Sequence, residues 1–218
     1  MKSLLLGVGL GALVSLSALT ATAQTNATAL AKYQWKRRTE VQRNGETKNV
    51  QVALVRYDVN GRQQTTPISG TAEPDLPKFG LRKAIAEKKF KAFRETVQQL
   101  GDLARAYSEF TPEQMQKFMA SASMTPAVVG GQQLMRVDGG NVLHSGDKMT
   151  IWTDPASRKQ RRVEIQTVLD DKPVRIVSEF KDLSASGPTY MAVSRINYDD
   201  GAVVIITENF DHLTASRQ

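Results

Sequence analysis

The sequence predicts an α+β fold: a strongly curved antiparallel sheet carrying two helices on its concave face. Three observations predict it. Residues 33–43 alternate in polarity, which is the period of a half-buried strand. From Leu81 to Tyr107 the apolar residues instead recur every three or four positions, the period of a helix, with no proline in the run. After Gly146 short strand-like runs follow one another with only turn signals between them, so consecutive strands form a meander.

The chain opens with an export leader. Lys2 supplies the charged start, Leu4 to Leu19 the apolar stretch and Ala21-Thr22-Ala23 a small-x-small cleavage site. The stretch falls short of the about 20 apolar residues a membrane span requires. Cleavage after Ala23 leaves 195 of the 218 residues, with no transmembrane segment. The glycines of GVGLG lie inside this leader, so their likeness to a dinucleotide loop is false. Residues 24–32 are a flexible N-terminus, and 33–212 form a single domain large enough to bury a core without staples. The chain has no cysteine, which excludes disulfides, thiolate metal sites, thiol nucleophiles and a lipid-anchored N-terminus. Export then places a soluble protein in the periplasm or outside the cell.

Within the domain, 33–68 supply strands. Tyr33, Trp35, Thr39 and Val41 share one face of the first, and Asn44-Gly45 turns the chain into a second that runs to Val59. Asn60-Gly61 turns it again, and Pro67, Pro74 and Pro77 mark PISGTAEPDLPKFG as a linker. Residues 80–122 supply the helices. At about 100° per residue, Leu81, Ile85, Ala92, Phe93, Val97, Leu100, Leu103 and Tyr107 form one stripe. Lys89 interrupts it: either its stem snorkels past the core edge, or the stripe there faces something other than a sealed core. Thr111, Pro112 and Gln114 set a capping box and first-turn proline for the second helix, which fades before Pro126. Residues 132–210 complete the meander, turning at Asp154-Pro155, Asp170 to Pro173, SASGP and Asp199-Asp200-Gly201.

YQWKRRTEV, GETK, VRYDVNG, the LRKAIAEKKFKAF helix and GDKMTIWTDPASRKQRRVEIQTVLDDKPV together resemble an uncharacterised family of exported bacterial proteins. More remotely, the strand–helix–strand order is similar to the lipoprotein-carrier fold, the LolA/LolB-like half-barrel. That resemblance implies a curved sheet lidded by helices over an apolar cavity for acyl chains. It transfers no individual residue.

Catalytic constellations are weak. His144, Ser145 and Asp147 are neighbours in one turn and cannot converge as a triad does. His212 lies in the tail. Asp58-Val59-Asn60-Gly61 lacks the later ligands of a calcium loop, and Asp170-Asp171 and Asp199-Asp200 occupy turns. No metal, cofactor or catalytic residue is therefore assigned.

The basic clusters Arg37-Arg38, Lys83 to Arg94 and SRKQRR (157–162) lack interleaved aromatics, and export removes nucleic acid as a partner. Either they are solvated faces, or they meet an anionic envelope surface. Two arginines stand out, because alternation puts Arg37 beside Trp35 and Val41, and Arg195 beside Met191 and Val193. Both either reach solvent near strand ends or meet the acidic head of a ligand. The expectation is thus a non-enzymatic protein binding an apolar or amphipathic, lipid-like ligand, lined by Trp35, Phe93, Val97 and Leu100 with Arg37 and Arg195 at its head. The alternative is a module with a filled core that docks another envelope protein.

Overall fold

The computed structural model describes residues 26, 28–58, 62–70 and 80–215. The leader, the Asn60-Gly61 turn and the linker at 71–79 lie outside the described residues. The strands are β1 (Tyr33–Arg43), β2 (Glu46–Tyr57), β3 (Gln63–Gly70), β4 (Ser123–Val129), β5 (Gln132–Gly140), β6 (Lys148–Thr153), β7 (Gln160–Leu169), β8 (Lys172–Asp182), β9 (Thr189–Tyr198) and β10 (Val203–Thr214). Helices α1 (Gly80–Ser108) and α2 (Pro112–Ser121) lie between β3 and β4. All ten strands form one open sheet in the order β3-β2-β1-β10-β9-β8-β7-β6-β5-β4. Two meanders, β1–β3 and β4–β10, are therefore joined where the first strand pairs antiparallel with the last, Val41 opposite Ile205.

Local chemistry sets the hairpins. Asn44 and Gly45 (φ 50 and 79°), Gly130 and Gly131 (56 and 79°), and Asp170 and Asp171 (50 and 59°) place both central residues at positive φ, as tight two-residue turns require. Both edge strands carry a proline, Pro67 in β3 and Pro126 in β4. The expected linker therefore begins later than its first proline, because PISG belongs to β3. An edge strand tolerates proline, since one row of its N–H groups has no ladder partner to lose. The expected capping box is formed, with Thr111 Oγ1 accepting from Gln114 N–H at 3.2 Å and Gln114 Oε1 accepting from Thr111 N–H at 2.8 Å.

The helices carry the chain from one sheet edge to the other. The Arg43 guanidinium sits 5.3 Å from the Phe93 ring centre, which places that residue beside β1. Tyr107 hydroxyl lies 3.0 Å from Thr167 Oγ1, which places the helix end at β7. The two residues are separated by about 21 Å of helix at 1.5 Å per residue. Four strand spacings, β1 to β7 through β10, β9 and β8, take about 19 Å. So α1 crosses the sheet nearly at right angles to the strands.

Its second half is core. Leu100, Leu103 and Tyr107 are buried with Phe118 of α2 against Val41, Val137, Met149, Val163, Ile165, Val174, Ile176, Ile196, Tyr198, Val203 and Ile205. Phe118 reaches the sheet because β5 carries glycine there: a Cβ on Gly139 would stand 2.7 Å from the phenyl ring. Tyr107 anchors the helix end by donating to Asp147 Oδ2 at 2.8 Å. That carboxylate also accepts the backbone N–H of Val142, Leu143 and His144 at 2.8, 2.9 and 3.1 Å. Burial pushes the Asp147 carboxyl up, but the donors from His144, Leu143, Tyr107 and Val142 outweigh it and leave the group below its ordinary value. Asp147 thus organises the 141–147 loop, in agreement with the turn reading of this segment. The first half of α1 is different, for Leu81 is 77% exposed and Ile85 48%.

Candidate functional site

Strand register divides the helix-bearing face into rows. Beneath α1 runs an apolar row of Val41, Ile205, Ile196, Ile176, Ile165 and Met149, each opposite the next across β1, β10, β9, β8, β7 and β6. All six are buried. Two residues further along each strand, away from the helix, the same register aligns Thr39, Thr207, Ser194 and Ser178. This row is half-buried, and the Ser178 and Ser194 hydroxyls share a hydrogen bond of 2.9 Å. One further step brings Arg37 opposite Asn209.

Around that last pair lies the most unusual chemistry of the sheet. Asn209 is buried, and its side-chain oxygen accepts Trp35 Nε1–H at 2.9 Å and Arg37 Nε–H at 3.0 Å. Its amide donates to Met191 O at 2.8 Å. Arg37 also donates from Nη1 to Gln63 Oε1 on β3 at 3.1 Å. Its hydrogen-bond partners are therefore neutral, and among the described residues it forms no ion pair. Burial pulls the guanidinium below its ordinary value, with the nearby Tyr57 acting the other way. Burial likewise pushes the Tyr57 phenol up.

Aromatic rings form the wall. Trp35 lies 5.7 Å from Tyr57 and stacks at 5.8 Å on His212, which in turn lies 4.1 Å from Tyr190. His212 reaches this position through a bulge. Between Phe210, opposite Lys36, and Leu213, opposite Gln34, β10 has two residues where β1 has only Trp35, and Asp211 takes φ 52°. The His212 Nε2 is buried without a hydrogen-bond partner among the described residues, and burial lowers its pKa. A neutral imidazole suits this setting, since a charged one would carry an unsatisfied buried donor.

The residues singled out from sequence are distributed as follows. Trp35 and Arg37 stand together beyond the row that α1 covers, bridged by Asn209, with Trp35 itself 5% exposed. Phe93 and Val97 are half-buried on α1 at the margin of the core. Leu100 is 0% exposed, at the centre of that core, so it presents no surface to a ligand in this conformation. Arg195 is a correction to the expected geometry. It pairs with Val177 and Ile206, alternates with buried Ile196 and is exposed on the opposite face of the sheet. A register shift at Glu179 and Phe180 breaks the parity that linked it to Met191, so the two guanidinium groups do not converge. Tyr57, Tyr190 and Asn209 went unnoticed in the sequence, and His212 was read only as part of the tail. Counting in twos from Ile205 would have found Asn209, whereas the bulge conceals His212.

The basic clusters on the strands are engaged within the sheet. Lys159 and Arg161 reach Asp182 at 3.4 and 3.0 Å. Arg162 pairs with Glu164 and Glu179 at 3.6 and 3.3 Å and lies over Trp152. Arg38 pairs with Glu40 and Glu208. The Glu40 carboxyl is held at about 2 by hydrogen bonds from Gln42, Thr47 and Arg38. Among the described residues, no cluster of three or more histidine or carboxylate side chains could hold a metal ion. No described helix is long and apolar enough to cross a membrane.

No family model and no curated protein matches the chain. Among solved structures it is similar to a DUF1329 family protein from Desulfovibrio piger, at 6% identity over 92% of each chain with a TM-score of 0.45. It is also similar to a LolA superfamily protein from Nitrosomonas europaea, at 8% identity over 90% of this chain and 94% of that one, with a TM-score of 0.40. A LolA superfamily protein, the fold to which the order of strands and helices bears a remote resemblance, is among these similar structures.

Proposed function

We propose that the protein is a non-enzymatic binding protein for an amphipathic, lipid-like ligand with an anionic head, acting outside the cytoplasm. One observation carries the reading: Arg37 is a half-buried cation whose hydrogen-bond partners among the described residues are neutral, on the helix-bearing face beyond the row that α1 covers. A guanidinium in that state gains a charge-assisted, bidentate partner when a carboxylate or phosphate arrives. Asn209 and Gln63 hold its plane, and Trp35, Tyr57 and His212 supply an apolar wall beside it. The ligand's tail runs along the face from Trp35 toward the half-buried side chains of Phe93 and Val97. From Arg37 to Arg43, level with Phe93, is about 20 Å along β1, the length of an extended acyl chain, and a tail of that length requires α1 to lift from the buried Val41. Export, read from residues 1–23, sets the compartment in this reading.

The experiment is native mass spectrometry of the mature chain purified from its own envelope, followed by extraction and lipid analysis. A retained lipid-sized mass, lost in Arg37→Gln and Trp35→Ala but kept in Arg195→Gln, is expected. A bare chain mass that binds no added fatty acid or phospholipid overturns the reading. That result favours a module that docks another envelope protein, a reading to which the filled core around Leu100 and Phe118 already lends itself.

A further inference from the structure

The first half of α1 extends beyond the sheet. Leu81 lies twelve residues before Phe93, which is about 18 Å of helix. At the level of Arg43 only β2 lies on that side of β1, since β3 pairs with β2 only from Gln51 onward, and one strand occupies about 5 Å. The opening turns therefore project past the edge of the sheet, which accounts for the exposure of Leu81 and Ile85. It also accounts for Lys89. At about 100° per residue, Arg82 and Lys89 share the azimuth of Leu100 and Tyr107, which face the core further along. Where the helix has left the sheet, this side carries cations, flanked by Leu81 and Ile85 on one side and Ala86 and Phe90 on the other.

We infer that this overhang docks the protein on an anionic lipid bilayer. Residues 81–95 carry six cations (Arg82, Lys83, Lys88, Lys89, Lys91 and Arg94) against Glu87 and Glu95. The two glutamates form exposed i,i+4 pairs with Lys83 and Lys91, at 3.7 and 3.9 Å, while Arg82, Lys88 and Lys89 are exposed. Exposed aliphatic side chains set among basic residues on one helix are the composition of an interfacial helix. The apolar side chains enter the head-group boundary while the cations meet anionic lipid. The other strongly basic segment, 157–162, has Lys159, Arg161 and Arg162 tied to Asp182, Glu164 and Glu179, so the overhang is the better match for a negative surface.

Vesicle co-sedimentation of the mature protein tests this. The vesicles are phosphatidylcholine alone, or phosphatidylcholine with one-third phosphatidylglycerol. Binding to the mixed vesicles, weakened by salt and absent from phosphatidylcholine alone, is expected. Arg82→Gln, Lys88→Gln and Lys89→Gln together should lower partitioning on the order of 100-fold, at about fivefold per cation near the surface. Leu81→Gln with Ile85→Gln should lower it at least about tenfold, given the apolar area withdrawn. Both variants should melt with the parent, because these side chains lie outside the core. Absence of binding to the mixed vesicles, equal binding to both, or full binding by either variant would overturn the inference. Bilayer docking does not require that a ligand sit at Arg37, so the two proposals fail separately.

Discussion

Two ends of one sheet face, built from the same strands in the same register, have opposite chemistry. Under the second half of α1 the cross-strand row is Val, Ile, Ile, Ile, Ile, Met, and all of it is buried. One alternation further along, four of those strands offer Thr39, Thr207, Ser194 and Ser178, and the next step offers Arg37 and Asn209. The helix is what separates them. Where it seals the face, a hydroxyl loses its water and needs a partner from within, as Thr167 has in Tyr107. Where it does not, hydroxyls and even a guanidinium are admissible. Coverage, rather than strand pattern, decides which part of the face serves as core and which can serve as a site.

That contrast can be broken from the covered end first. Leu100→Ala removes a fully buried side chain from the centre of the core and should cost about 2–5 kcal/mol, read from urea unfolding. Gly139→Ala sets a methyl group against the buried Phe118 ring and should cost about 1–3 kcal/mol by overpacking. Phe118→Leu in the same chain should recover part of that loss. If the double variant is no more stable than Gly139→Ala alone, the close approach is not what limits this position.

The uncovered end is sharpened by pH. His212 is lowered in the folded state, so between its folded and unfolded values the unfolded chain binds more protons. Its contribution is complete above the ordinary value of 6.5 and is lost as pH falls through the lower, folded one. Unfolding at about pH 8 and about pH 5 should therefore show a smaller decline for His212→Gln than for the parent chain. A parallel decline in both would mean that the ring is solvated. Glu40 follows at more acid pH, its contribution present above 4.5 and lost on acidification toward about 2. The smallest effect belongs to Arg195→Gln, an exposed change on the far face that should stay within about 0.5 kcal/mol of the parent.

What the sequence made legible was local. The Thr111 capping box, the Asn44-Gly45 turn and the double aspartate turns each depend on residues a few positions apart, and each is formed. Lys89 in the apolar stripe left two readings open, a snorkelling stem or a stripe without a sealed core, and its exposure beside exposed Leu81 and Ile85 agrees with the second. Phase across a bulge was not legible. The register shift at Glu179 and Phe180 put Arg195 on the far face, and the extra residue near Asp211 turned a histidine from the tail into the wall beside Trp35. The Arg37–Asn209 pair was hidden for another reason, since it depends on β1 meeting β10, 172 positions away.

That meeting of first and last strands also sets an order of events. Until residues 203–214 exist, β1 has only β2 beside it, and Trp35 and Arg37 have no Asn209 to hold them. At a synthesis rate of about 5–20 residues per second, the N-terminal meander waits many seconds for its partner. Pairings this distant in sequence also close slowly once they are possible. A chain built this way stays incompletely folded until its final strand emerges, the condition in which a polypeptide can still be threaded through a narrow channel.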